Sequence, residues 1–284
     1  MSSAPAPSRT FLPIPPLLRR VFDSFPLKTY PAPSLPASSP RPSQKPTLHI
    51  FTTPSAATNG APSFDPACLR LQTYLRLCGL EFTTAPASAH AAPAGELPYL
   101  TPAGSRAAVP ARKIISWAQE QGGGVHEDLQ EPQIAAFLAL VEGAVRDAYL
   151  YALYLEPTNF LRLAAPLYTR ISSSVGLVQI ALSHELRAAA ETELRKSRPG
   201  GVIVADEIYA DAAAAWKALD TLLGDDEWFF GAQQPGMLDA TVFAFAHLVR
   251  KWAWDETERR VQTPLETCKR LMAHEERLRK RCGW

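Results

Sequence analysis

The stretch DEWFFGAQQPGMLDATVFAFAHL, residues 226–248, places an acidic residue inside an otherwise apolar helix. Gly236 precedes a run of apolar residues, and Asp239 follows Gly236 by three positions. At the first turn of a buried helix, a carboxylate can accept hydrogen bonds from backbone N–H groups that lack a partner in the helix. The sequence therefore predicts a structural, capping role for Asp239, because no adjacent His, Cys or Lys completes a general acid or base pair.

Composition and charge exclude several classes of protein. A chain of 284 residues that is 46% apolar and 20% charged has the composition of a globular protein with room for two domains. The net charge of +1 argues against a nucleic-acid binder. The most apolar stretch, residues 134–155, contains Glu142, Arg146 and Asp147, so no membrane span is predicted. The four cysteines form no C-x-x-C pair, which indicates a reduced, intracellular protein without a metal site.

A proline-rich, basic extension is predicted over residues 1–46. This segment holds 12 of the 26 prolines and six Lys or Arg against one acid, so it is not expected to build a core. Within it, a short apolar helical face with two basic neighbours is formed by Leu17, Leu18, Arg19, Arg20, Val21, Phe22 and Phe25. A two-turn helix is not stable alone, so this segment needs a surface to lie on, either its own domain or another protein.

A small α/β domain is predicted over residues 47–125. A strand at Leu48–Thr53, a helix that begins at Asp65-Pro66 and a strand at Leu80–Ala85 give a parallel βαβ unit. Leu97-Pro98 leads into a third apolar segment at Tyr99-Leu100, and a helix is expected over residues 112–121.

Residues 130–284 predict an all-helical domain, since strand patterns nearly vanish after Glu131. Pro132 begins a long amphipathic helix that Glu156-Pro157 ends. A further helical stretch over 161–196 is expected to kink or break at Pro166. The sequence thus predicts an α/β domain followed by an all-α domain.

Four segments in this order resemble the metaxin family, whose members have a glutathione S-transferase-like fold: FDPACLRLQTYLRLCGLEF (64–82), ELPYLTPAG (96–104), KIISWAQEQG (113–122) and LDATVFAFAHL (238–248). With the leader that ends in KPTLHIF, the chain is most similar to the fungal metaxin-like peripheral subunits of the mitochondrial sorting and assembly machinery. The resemblance implies a thioredoxin-like domain followed by a helical domain, and a cis peptide bond before Pro98. In that fold the helix cap is Ser or Thr, whereas this chain has Gly236.

The resemblance also implies a function in binding, with no cofactor and no metal. Its expected partners are an integral β-barrel subunit of the outer mitochondrial membrane, a second metaxin-like subunit and β-barrel precursor proteins, recognised by the sorting signal of their last strand. The expected location is the cytosolic face of that membrane, with peripheral attachment. The apolar face and positive charge of the 17–25 segment suggest that it lies against the β-barrel partner, and the basic terminal helix, Arg270–Arg281, is a second candidate for contact with anionic lipid or a partner.

The alternative is a cytosolic glutathione-dependent transferase or thiol reductase. Cys68 lies near the start of a predicted helix, where the helix dipole lowers the pKa of a thiol. The loop after the first strand offers the hydroxyls of Thr52, Thr53, Ser55, Thr58 and Ser63. Against this, Cys68 shares the apolar stripe of Leu71 and Leu75, and residues 109–112 lack the acidic residue and serine that hold the γ-glutamyl end of glutathione in transferases of this fold.

Overall fold

The computed structural model describes residues 43–105, 107–122, 131–169 and 175–284. The predicted docking segment 17–25 lies outside the described residues. Within them, a sheet with flanking helices is followed by a larger, helical part. This confirms the predicted fold class, a thioredoxin-like domain followed by an all-helical domain.

The sheet is four-stranded and mixed, with the order β2-β1-β3-β4. Its strands are β1 (Thr47–Ile50), β2 (Thr83–Pro86), β3 (Tyr99–Thr101) and β4 (Val109–Pro110). β1 pairs in parallel with β2 and antiparallel with β3, which pairs antiparallel with β4. The helices of this part are α1 (Pro54–Thr58), α2 (Pro66–Leu77) and α3 (Ala111–Glu120). Parallel neighbours need a crossover connection, and α2 provides it.

The end of β1 and the start of β2 differ from the prediction. β1 ends at Ile50 because Thr53 caps α1, a short helix in what the sequence predicted to be a loop; its Oγ1 accepts a hydrogen bond from Ala56 N at 3.2 Å. β2 begins at Thr83 because its first residue pairs with Thr47, the first residue of β1. The short first strand therefore sets the length of both strands.

The helical part begins with a nearly continuous helix over residues 132–155, in which α-helical and wider π-helical turns alternate. Its segments are α4 (Pro132–Leu140), a π turn at Val141–Val145, α5 (Arg146–Leu150) and a π turn at Tyr151–Leu155. α6 (Pro157–Asn159) leads into a π-helical segment, Phe160–Thr169, which contains Pro166 without ending there. The next helix in the described residues is α7 (Gly176–Ser197).

The remaining helices are α8 (Ala205–Leu223), α9 (Met237–Lys251), α10 (Thr263–Thr267) and α11 (Lys269–Arg281), with 3-10 turns at Ala89–Ala91, Pro199–Gly201, Phe229–Gly231 and Glu256–Val261. α9 is the central helix, because it packs against both α2 and α11 and is buried along most of its length. The 226–248 stretch therefore joins the sheet domain to the helical domain.

Candidate functional site

A cleft of 390 Å³ lies between the two domains. One wall is the start of α2, which contributes Asp65, Pro66, Ala67 and Arg70; the facing wall is the 132–155 helix, with Glu142, Arg146, Tyr149, Leu150 and Tyr154, and α9 adds Phe245. We call this the inter-domain cleft. Ligand sites occur preferentially at such domain boundaries, so its chemistry is the first to consider.

The carboxylate of Asp65 occupies the N-terminus of α2 at the edge of the inter-domain cleft. Its Oδ1 accepts a hydrogen bond from Cys68 N at 3.0 Å, and its Oδ2 accepts one from the Tyr168 hydroxyl at 3.4 Å. Burial raises the pKa of Asp65, and the hydrogen bonds from Cys68 and Tyr168 oppose that rise. The positive end of the α2 dipole is thus neutralised by a side chain of the protein itself.

Three tyrosines surround this carboxylate. Tyr149 and Tyr154 line the cleft, and Tyr168 packs at 5.9 Å from Tyr154, ring centroid to centroid. Burial is the main cause that raises the pKa of all three phenols, and the nearby Asp65 charge adds to it. The hydroxyls therefore stay protonated at neutral pH and act as hydrogen-bond donors, because the phenolate form is disfavoured.

The rim of the cleft is charged. Arg70 pairs with Glu142 across the two walls, and Arg146 pairs with Glu193 at 3.4 Å. These side chains are each partly exposed to solvent, so the pairs position the walls more than they stabilise the fold.

The thiol of Cys68 is fully buried on the inner face of α2. Burial raises its pKa well above the ordinary value, and the Asp65 charge raises it further. A reactive cysteine needs an electropositive and accessible setting, so this thiol has the opposite environment. The position of Cys68 therefore matches the other interpretation, in which it belongs to the apolar stripe of its helix.

Asp239 lies at 2% exposure in the first turn of α9. Its Oδ2 accepts a hydrogen bond from Gly236 N at 2.9 Å, and its Oδ1 accepts one from Phe229 N at 3.2 Å. His274 of α11 adds a third contact, from Nε2 to Oδ1 at 2.7 Å. The backbone contacts match the predicted capping role, whereas the histidine was missed because it comes from 35 positions further along the chain.

Models of two domain families match the chain. The glutathione S-transferase N-terminal domain matches residues 66–159, and the glutathione S-transferase C-terminal domain matches residues 212–278. The chain is a glutathione S-transferase-like protein. A search of curated protein sequences gives no match to it.

Solved structures share the fold of this glutathione S-transferase-like protein at low sequence identity. Glutathione transferase GSTFuA3 from Phanerochaete chrysosporium is 12% identical with a TM-score of 0.51, and the match covers 81% of this chain and 98% of that one. Glutaredoxin 2 from Salmonella typhimurium, in complex with glutathione, is 14% identical (TM-score 0.49; 85% and 96% covered). FzlA from C. crescentus is also 14% identical (TM-score 0.48; 84% and 89% covered). At 12% identity, the likeness to GSTFuA3 shows the fold alone.

The residues of this glutathione S-transferase-like protein do not fit a thiolate-activating glutathione site. α3 begins at Ala111 after Pro110, and no side chain caps its N-terminus. At α2, the backbone N–H that would face a thiolate already donates to Asp65. A bound thiolate would therefore compete with a carboxylate of the protein.

The loop hydroxyls hold the loop in place. Thr53 caps α1 and contacts the Ser55 hydroxyl at 3.2 Å, and Thr58 donates to Pro54 O at 3.0 Å. Ser63 donates to Phe51 O at 2.7 Å. Thr52 is buried at 3% exposure.

Two further features concern ligands and membranes. The described part of the chain contains no cluster of three or more His, Cys, Asp or Glu side chains able to hold a metal ion. Among the described helices, none combines the length and the apolar character needed to cross a bilayer. The Leu97–Pro98 bond has the cis form that the family resemblance implied, directly before β3.

Proposed function

We propose that this glutathione S-transferase-like protein is a non-enzymatic subunit of the mitochondrial sorting and assembly machinery. In this proposal it lies peripherally on the cytosolic face of the outer membrane. It docks on the integral β-barrel subunit, together with a second metaxin-like subunit. There it binds β-barrel precursors through the sorting signal of their last strand.

The single observation that carries the proposal is the position of Asp65. In a transferase of this fold, a helix N-terminus and a hydroxyl or thiol stabilise the thiolate of glutathione. Here the α2 N-terminus is capped by Asp65, and the nearest thiol, Cys68, is buried with a raised pKa. The chain therefore has the transferase fold without the polar groups that activate a thiol in transferases. This combination favours a role in binding.

The proposed role has a physical rationale. A β-strand that has left a chaperone and has not yet joined a barrel exposes backbone N–H and C=O groups. These groups cannot enter lipid without hydrogen-bond partners. A receptor that holds the last strand beside an assembling barrel keeps those groups in water until pairing is complete.

The leader segment 17–25 is the preferred docking element in this proposal. Its apolar side chains and its two arginines suit a surface that is apolar in part and negatively charged. The alternative element, the basic helix α11, already uses cations in pairs within the protein: Arg270 pairs with Asp225 at 3.4 Å, and Arg279 pairs with Glu276 at 2.7 Å. Less of its charge is therefore available to lipid or to a partner.

Cell fractionation tests the location. The proposal expects the protein in the mitochondrial fraction and its release by alkaline carbonate. A purely cytosolic distribution would refute the proposal. Salt-insensitive attachment would argue against an ionic contact of α11 with lipid.

Co-purification tests the docking element. We expect replacement of Leu17, Leu18, Val21, Phe22 and Phe25 by serine to abolish recovery of the integral β-barrel subunit. The matched control replaces Arg19 and Arg20 by glutamine. It distinguishes the contribution of the positive charge from that of the apolar face. Undiminished recovery with both variants would remove this segment from the proposal.

The rival function, a glutathione-dependent transferase or thiol reductase, has a direct assay. Retention on immobilised glutathione and turnover of a chromogenic electrophile, both lost in Cys68→Ala, would establish the rival function. Our proposal expects neither retention nor turnover.

A further inference from the structure

Aliphatic side chains are exposed to solvent at the start of α7 and on the helical segment before it. Five of them have exposed fractions between 43% and 80%: Leu161, Val175, Leu177, Val178 and Ile180. Leu161 lies beside α7, because it lines a groove of 430 Å³ together with Ser183 and Arg187 of that helix. We call these five side chains the aliphatic patch. Single apolar residues are normal on a protein surface, whereas a cluster marks a site of contact with a protein or a membrane.

The shape of the aliphatic patch favours a membrane. At 3.6 residues per turn, the side chains of Ile180, Leu177 and Val178 together face about 160° of the circumference of α7. An apolar stripe of about 100° is sufficient to pack a helix against one surface. Leu177 is the most exposed of the five side chains, so the patch projects from the helix. A projecting apolar surface that faces several directions is suited to lipid, which closes around it as a fluid.

The size of the aliphatic patch argues against a second copy of the chain as the partner. A stable dimer interface takes about 20–30 residues from each subunit. The patch has five residues, four of them within six consecutive positions of the chain. Insertion into the surface of a bilayer has no such size requirement, because the affinity of an interfacial helix grows with the apolar area that reaches lipid.

The charge around the aliphatic patch is complementary to an anionic surface. Residues 157–184 contain no Asp or Glu, and their charged residues are Arg162 and Arg170, of which the second lies outside the described residues. The side chain of Arg162 remains 55% exposed, although it pairs with Asp255 at 3.5 Å. Acidic residues begin again at Glu185, beyond the patch. Arginines beside apolar side chains can contact anionic headgroups while the apolar side chains reach the acyl chains.

Among the described helices, α7 included, none could cross a bilayer, so the contact would be limited to the membrane surface. We propose that the aliphatic patch inserts into the interfacial region of an anionic lipid bilayer. Such insertion refines the peripheral attachment of the proposed function, on which it rests for the identity of the membrane.

Flotation of the full-length protein with lipid vesicles tests this inference. The vesicles consist of phosphatidylcholine alone or of equal parts of phosphatidylcholine and phosphatidylglycerol. We expect binding to the anionic vesicles and weaker binding to the neutral ones. Leu177→Ser combined with Ile180→Ser should lower the partition coefficient for anionic vesicles at least about tenfold, because two exposed aliphatic side chains no longer transfer to lipid.

The matched control is Val202→Ser combined with Val204→Ser. It removes two exposed aliphatic side chains outside the aliphatic patch and should leave the partition coefficient unchanged. Thermal melts of both double variants verify folding.

A fluorophore at position 177 reports insertion directly. The four native cysteines are buried, so a thiol-reactive label is directed to the introduced thiol of Leu177→Cys. With anionic vesicles, we expect its emission to shift to the blue and to be quenched by lipids that have a nitroxide on the acyl chain. Ala189→Cys is the control, because this exposed position lies about 18 Å further along α7 and should show neither change.

Several results would overturn the inference. They are the absence of wild-type protein from the floating anionic vesicles, an equal loss of binding in both double variants, and a label at position 177 whose emission does not change. A dimer in analytical ultracentrifugation that Leu177→Ser with Ile180→Ser dissociates would assign the aliphatic patch to a second copy instead.

The outcomes also distinguish this insertion from the proposed function. Recovery with mitochondria without any binding to vesicles would overturn the insertion alone. Binding to vesicles through the aliphatic patch, together with a purely cytosolic distribution in cells, would overturn the mitochondrial assignment alone.

Discussion

Substitution of Asp239 by alanine should be among the most destabilising single changes in this protein. The change removes the acceptor for Gly236 N, Phe229 N and His274 Nε2, all of them buried. A buried donor left without a partner costs about 1–3 kcal/mol, and partial relaxation of the turn before α9 reduces the sum. We therefore expect a loss of about 3–5 kcal/mol in the free energy of unfolding.

Urea denaturation followed by circular dichroism measures this loss. In a separate thermal melt, the melting temperature should fall by about 10 °C. Asp225→Ala is the matched control, because its side chain is 96% exposed and its ion pair with Arg270 lies on the surface. We expect a change of less than about 1 kcal/mol for the control. A loss for Asp239→Ala no larger than that of the control would refute the capping argument.

Three further predictions follow from buried groups near the domain boundary. The folded protein at pH 8 should not react with a disulfide reagent at Cys68, because burial raises the pKa of this thiol; a fast-reacting thiol that disappears in Cys68→Ala would contradict this. Burial raises the pKa of Cys282 from 9.0 to about 11, so its contribution to stability is present below pH 9 and is lost as the pH rises through 11. In urea titrations between pH 9 and pH 11, the free energy of unfolding of the wild type should fall by about 2 kcal/mol more than that of Cys282→Ser. An equal fall in both proteins would exclude the effect. Trp284→Ala should lower the free energy of unfolding by about 2–3 kcal/mol in the same assay, because the indole donates to Gly60 O at 2.8 Å and stacks on Phe243. An unchanged urea midpoint would show that these contacts do not stabilise the fold.

Local patterns were sufficient for the order of the elements. Asp65-Pro66 marked the start of α2, because a capping side chain and a fixed proline φ act within one turn of the chain. Gly79 marked its end, where φ is +71°. The position of Asp239 three residues after Gly236 likewise predicted its contact with Gly236 N, since both residues belong to the same helix turn.

Features that depend on pairing between distant segments were predicted less well. The limits of β1 and β2 were shifted, because strand length is set by the partner strand and not by the strand's own residues. Helix α1 was missed, since five residues rich in small side chains give no clear apolar period.

By itself, the sequence determined the fold class, through the order of its segments, and the capping roles of Asp65 and Asp239, because each cap is encoded within a few neighbouring positions. Only the tertiary structure decided which groups share a site. Tyr168 reaches Asp65 across 103 positions, and His274 reaches Asp239 across 35. Such contacts arise from the packing of whole helices, whose relative positions no local pattern of residues specifies.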